Sequence, residues 1–210
     1  DHVDLPGHVL LPGLINAHTH APMTLLRGFA DDMELTTWLQ EHIWPAERLH
    51  VAPGFVRDGT RLAVAEMLRS GTTCFNDMYF FPDVTGRVAA QAGMRAVVGL
   101  ILIDFPSAWA NDADGYFDLA ITVQDQFRND PLVRTAFAPH APYSVSDAPL
   151  RRAAVLANEL ELPIHMHVHE TKDEIRQSLG QYGMRPLRRL AEIGLLEREP
   201  EICDRQDAGE

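Results

Sequence analysis

Apolar runs and helically spaced segments alternate along this chain from end to end. Val9 to Ala17 is apolar almost without a break until Asn16, which predicts a strand buried on both faces. Two helical segments follow, Asp32 to Trp44 and Phe55 to Arg69, the second stopped by Ser70-Gly71. The alternation then repeats as strand Thr72 to Met78, helix Val84 to Ala92 ended by Gly93, strand Arg95 to Ile103, and a helix from about Tyr116 to Phe127. Next come strand Val133 to Pro139, helix Asp147 to Leu160 with Ser146 as its expected cap, and strand Pro163 to Val168. Helical spacing over Asp173 to Leu179 and Pro186 to Leu196 completes the pattern. Strands that are apolar on both faces and separated by helices build a parallel sheet covered by helices.

The polar residues choose between an open sheet and a closed barrel. His18, His20, Asp77, His140 and Glu170 fall at or just past the C-terminal ends of different strands, where (β/α)8 barrels assemble their sites. An open sheet gathers ligand groups mainly at one switch point, and no G-x-G-x-x-G loop follows the first strand. The expected class is therefore α/β, a TIM-like (β/α)8 barrel, with five of its βα units present. On this reading residues 1–196 form a partial barrel, and 197–210 are a divergent, acidic tail without strand signals, expected to be disordered.

Charge narrows the partners. A net charge of −12 over 210 residues disfavours nucleic acid and anionic membrane surfaces, which need a positive footprint. No apolar stretch approaches the ~20 residues that cross a bilayer, and the first residues lack a signal-peptide pattern, so a cytoplasmic location is expected. A homo-oligomer is compatible with the sequence. Cys74 and Cys203 have no metal-type spacing, and Cys74 reads as a small core residue.

His18-Thr19-His20 carries the chemistry. Residues i and i+2 of an extended chain share a face, so both imidazoles can reach one divalent ion. A second cluster, His165-Met166-His167-Val168-His169-Glu170, ends another apolar run. The same two-residue period puts His165, His167 and His169 on one face and leaves all three open as a third ligand. Glu170 beside such a metal suits proton transfer, although an acidic residue opening a helix would also suit the dipole. Asp77 reads as an acceptor for a backbone amide.

Pro12-Gly13-Leu14-Ile15-Asn16-Ala17-His18-Thr19-His20-Ala21-Pro22-Met23, Leu26-Arg27-Gly28, Pro139-His140-Ala141-Pro142-Tyr143 and His167-Val168-His169-Glu170-Thr171 together resemble the amidohydrolase superfamily. The likeness is to its 5-methylthioadenosine/S-adenosylhomocysteine deaminase branch, beside the chlorohydrolases of triazines, over about residues 6–196. It implies a barrel holding one divalent metal, zinc or alternatively ferrous iron, on His18, His20 and His167, with the third ligand three residues before Glu170. It further implies Glu170 as the acid/base group, His140 and Glu170 at the substrate, Glu47 on the ribose hydroxyls and Trp38 as a pocket aromatic.

The activity implied is hydrolytic deamination of a 5′-substituted adenosine, with a small nucleoside as the substrate partner. Leu100 to Gly115 contains no Lys or Arg to clamp an amino-acid carboxylate, which ranks methylthioadenosine or adenosine above S-adenosylhomocysteine. The alternatives are a relative acting on another amino- or chloro-substituted ring, a triazine or purine base, and an inactive, metal-binding partial barrel. In the resemblance a further metal-binding aspartate and a histidine follow the matched part and do not occur in 197–210, so catalysis by this polypeptide alone is not expected.

Overall fold

The computed structural model describes residues 3–196 and the backbone of Glu201–Cys203. Four parallel strands form one sheet in the order β1 (Leu14–Thr19), β2 (Thr72–Met78), β3 (Arg95–Leu102), β4 (Val133–Pro139). Sequential order with parallel pairing requires a helical crossover after each strand. Those after β2, β3 and β4 are α4 (Pro82–Gln91), α5 (Ala113–Phe127) and α6 (Asp147–Glu159). The longer β1–β2 connection holds a 3-10 helix (Ala21–Leu26), then α1 (Leu35–Thr37), a π-helical stretch (Trp38–Ile43), α2 (Trp44–His50) and α3 (Pro53–Arg69). Strand β5 (His165–His167) lies beside β4 through the Phe137–Ile164 bridge, and α7 (Lys172–Tyr182) and α8 (Pro186–Ile193) follow it. This is the α/β, partial TIM-like arrangement of about five βα units that the alternation predicts.

The core sits between the sheet and its helices. Phe75, Leu100, Phe117 and Phe137 are each at most 1% exposed. Close approach needs glycine at two places. A Cβ on Gly99 would lie 2.8 Å from the Ala138 Cβ on the neighbouring strand, and one on Gly59 of α3 would strike the Pro22 carbonyl. The second contact seats the 3-10 helix directly after His20, so a bare backbone on α3 helps aim the first strand's histidines.

Two expectations are corrected. Val9 to Ala17 is not a buried strand: β1 begins at Leu14, and Val9, Leu10 and Ile15 are 82%, 91% and 72% exposed. Among the described residues β1 is the outer strand of its sheet, paired only with β2, so its apolar run has no packed neighbour on the other side. Ser146 does occupy the cap position of α6, but its side chain makes no cap bond; its N–H donates instead to Asp104 Oδ2 at 2.8 Å. In the tail, Glu201–Cys203 forms β6, parallel to β5. Main-chain pairing needs no apolar alternation, so the pattern gave no sign of it. The expectation of disorder over 197–210 otherwise falls on residues outside those described. Cys74 is half-buried, and among the described residues no helix is long and apolar enough to cross a membrane.

Candidate metal centre and active site

The C-terminal ends of β1 and β5 bring His18, His20 and His167 together, with one ligand nitrogen from each lying within 4.8 Å of the others. The β1–β2 register shifts between Asn16 and Thr19, an irregularity of the kind that re-aims side chains beside functional sites. Hydrogen bonds settle which nitrogens point inward. Nδ1 of His20 donates to the Met78 carbonyl at 2.5 Å and Nδ1 of His167 to the His140 carbonyl at 2.9 Å, leaving each Nε2 with its lone pair. Nδ1 of His18 lies 2.9 Å from Nε2 of His165, and with the His18 ring proton on that Nδ1 its Nε2 carries a lone pair as well. That atom is 3.1 Å from the His167 Nε2. Two lone pairs facing each other repel, and a cation between them removes the conflict; tetrahedral zinc at 2.0–2.1 Å from each nitrogen sets ligands about 3.3 Å apart.

His165 is buried, and desolvation, with the neighbouring His18 next, pushes its pKa down to about 3. It stays neutral, and its Nε2 against Nδ1 of His18 holds the orientation of that ring. The period-two expectation for His169 fails. Strand β5 ends at His167, and His169 turns with φ 63°, so the extended geometry that would align it is lost. Asp77 accepts from the Ala21 N–H at 2.6 Å, as the sequence reading holds, and burial raises its carboxyl to about 7 against that bond.

Beside the histidines opens a cavity of about 680 Å³, within the range of small-molecule sites. Its wall includes His20, Trp38, Glu47, Tyr79 and His140, with Ile101, Ile103 and Phe105 forming an apolar side. The Glu47 carboxylate accepts from the Tyr79 hydroxyl at 2.7 Å, and burial raises its pKa to about 7 although that bond opposes the rise. Ser144 donates its hydroxyl to the Ala141 carbonyl at 3.2 Å and so accepts from Nδ1 of His140 at 2.7 Å. Nε2 of His140 is then an acceptor, and burial, followed by the nearby His167, holds the ring's pKa well below its ordinary value.

Glu170 is not among the described residues lining that cavity. Its Oε2 accepts from the Tyr143 hydroxyl at 2.8 Å, and the Tyr143 ring stands edge-on to His140 at 5.8 Å. The main chain here is clamped: Glu174, 4% exposed, accepts from the N–H groups of His169 at 3.0 Å and Glu170 at 2.7 Å. Thr171 caps α7 by accepting from the Glu174 N–H at 3.1 Å. From the other side the buried Arg189 donates to the carbonyls of Pro142 at 2.6 Å and Val145 at 3.2 Å, pairs with Asp147 at 2.7 Å, and stacks on Tyr182. It thereby fixes the segment that carries Tyr143. Arg189→Ala is expected to cost about 3 kcal/mol, because it strands two buried carbonyls and half of an ion pair; urea unfolding measures the loss.

Sequence reasoning assigned no role to Tyr79, Tyr143, Glu174 or Arg189, and considered His165 only as an alternative metal ligand. For Glu174 a signal existed, since Thr171-x-x-Glu174 is the spacing of a capping box. The partners Tyr79 and Glu47 stand 32 residues apart and announce nothing in the sequence.

A parallel sheet that gathers histidines, a half-buried carboxylate and a small-molecule cavity at its C-terminal edge is the arrangement of a partial (β/α) barrel with a metal-type site. The chain belongs to the amidohydrolase family, whose model matches residues 9–199. It is 54% identical over 196 residues to a 5-methylthioadenosine/S-adenosylhomocysteine deaminase of Teredinibacter turnerae, covering 93% of this chain and 44% of that protein. A 5′-deoxyadenosine deaminase of Methanothrix thermoacetophila is 40% identical over 194 residues, 92% of this chain and 45% of the relative. Among solved structures, an adenosine deaminase from Xanthomonas campestris with bound zinc superposes with a TM-score of 0.86 at 59% identity, over 88% of this chain and 42% of that one. The chain thus spans less than half the length of these relatives.

Proposed function

We propose that these residues form part of the site of a metal-dependent aminohydrolase that converts a 5′-substituted adenosine, or adenosine itself, to the inosine derivative with release of ammonia. The observation that carries this reading is the convergence of one ring nitrogen from each of His18, His20 and His167, with His20 also lining a cavity that holds an oriented carboxylate, Glu47. His18, His20 and His167 would hold one divalent ion, zinc by analogy with the Xanthomonas campestris neighbour. The fit rests on the donor set: each Nδ1 is engaged by a hydrogen bond and each Nε2 is turned inward. Such an ion supplies Lewis-acid activation of water at neutral pH.

Glu170 takes one proton of the attacking water and delivers it to the purine nitrogen beside the amine-bearing carbon, then takes the second from the hydroxyl now on that carbon and passes it to the amino group, which departs as ammonia while the carbonyl forms. One C–O bond forms at that carbon and one C–N bond breaks. His140 offers Nε2 to the substrate, Glu47 accepts ribose hydroxyls, and Trp38 forms part of the wall beside the nucleoside. The side formed by Ile101, Ile103 and Phe105 suits a small apolar 5′ substituent, and Arg48 elsewhere in the wall is the cation that a zwitterionic tail would have to reach. The setting we assign is cytoplasmic.

The test is to load the full-length protein with zinc and follow ammonia release from 5′-methylthioadenosine, adenosine, S-adenosylhomocysteine and adenine. Turnover is expected for the first two above the third, with none for the free base. Equal rates for adenine and the nucleosides would overturn the nucleoside reading, and hydrolysis of a chlorotriazine alone would move the protein to the other branch.

A further inference from the structure

We propose that Tyr79 is a specificity-determining positioning residue, whose hydroxyl fixes the Glu47 carboxylate so that its second oxygen selects nucleosides carrying free 2′ and 3′ hydroxyls. The inference deepens the nucleoside reading above and rests on it. Tyr79 directly follows β2 and is 4% exposed, so its ring is held by the sheet end and the hydroxyl has little freedom to wander. Glu47 sits on α2, which the π-helical turn Trp38–Ile43 precedes. The two elements meet through the 2.7 Å bond to Oε1. Among the described residues no other side-chain hydrogen bond reaches this carboxylate.

A carboxylate has about four lone-pair sites and no donor of its own. With Oε1 occupied by a donor fixed to the sheet, rotation about the last side-chain bond is stopped and Oε2 keeps one direction. Both residues line the same cavity as His20 and His140, so that direction lies within reach of a ligand there. A fixed acceptor discriminates between a ligand that donates to it and one that cannot, because the second leaves a desolvated carboxylate without its bond. A freely turning one would find other partners and lose that selectivity.

The experiment measures the Kd of adenosine and of 2′,3′-dideoxyadenosine by calorimetry on full-length, zinc-loaded protein, with zinc content determined for every variant. Wild-type protein is expected to prefer the ribonucleoside. Tyr79→Phe should weaken adenosine by about 10-fold and leave dideoxyadenosine where it was, the size of one hydrogen bond to a charged group. Glu47→Gln should weaken adenosine at least as much, and adding Tyr79→Phe to it should produce little further loss, since the tyrosine acts through the carboxylate. Kinetics give a second readout: the Tyr79→Phe effect should fall on KM far more than on kcat.

A variant that weakens both nucleosides equally, or a double variant whose losses simply add, overturns the proposal and returns Tyr79 to a packing role. Wild-type protein that discriminates, with Tyr79→Phe discriminating just as well, overturns it alone. Wild-type protein that binds neither nucleoside overturns the nucleoside reading and this inference together.

Discussion

Glu170→Gln is expected to lower kcat by about 10³-fold, in the middle of the 10²–10⁴ span of general acid–base catalysis. Zinc content and the Kd for adenosine should change little. The substitution is informative because of what surrounds Glu170. Its backbone N–H is held by Glu174 Oε2 at 2.7 Å and its carboxylate accepts from Tyr143 at 2.8 Å. A glutamine carbonyl can take the same hydroxyl, so the side chain keeps its place while losing the capacity to carry a proton. Single-turnover ammonia release on zinc-loaded protein measures the chemical step directly. A loss below tenfold would show that Glu170 does no more than open α7, the role that an acidic residue before a helix has by default.

How far the sequence anticipates such a site depends on which interactions are local. Strands β2 and β4 match their expected bounds, because each is a short run centred on apolar residues with an abrupt boundary, Gly71 before the first and His140 after the second. The first strand does not. Val9 to Leu11 are as apolar as any core residues, and periodicity cannot say whether a neighbour lies against them. In relatives more than twice as long, further chain is available to pack there, which is consistent with exposure on this part alone.

The histidines show the same division. His18 and His20 share a face by strand geometry, and their spacing suffices to pair them. The choice of His167 over His165 and His169 did not follow from spacing and needed the family likeness. The structure supplies the physical reason. Extended backbone ends at His167 and reverses hand at His169, while His165, one step back along the strand, reaches His18 and not the centre. The orienting bonds from Met78 O, His140 O and Tyr79 Oη join residues that the sheet brings together from distant parts of the sequence, so no local pattern records them.

Removal of the metal should be the most damaging change of all, and His167→Ala is the variant that isolates it. In the proposed centre His167 is the ligand from β5, so its loss would leave two imidazoles from one end of the chain, an incomplete set for an ion that takes four ligands in tetrahedral sites. Zinc per chain is expected to fall from about one to a small fraction of that, with activity reduced to background. Stability should separate this from a simple packing defect. An ion that binds only the folded state stabilises it by RT ln(1 + [L]/Kd), about 2.7 kcal/mol when free zinc stands at 100 times Kd. Wild-type protein should therefore show a Tm that rises with added zinc and falls with a chelator, whereas His167→Ala should melt at one temperature under both conditions. His165→Ala offers the contrast, because that ring orients His18 without reaching the centre: zinc affinity should weaken by 10- to 100-fold, the usual effect of removing a ligand's supporting partner, yet the dependence of Tm on zinc should persist at higher concentration. A Tm in the wild type that ignores zinc altogether would mean that the three Nε2 atoms converge without holding an ion, and the deaminase chemistry built on them would fall with that result.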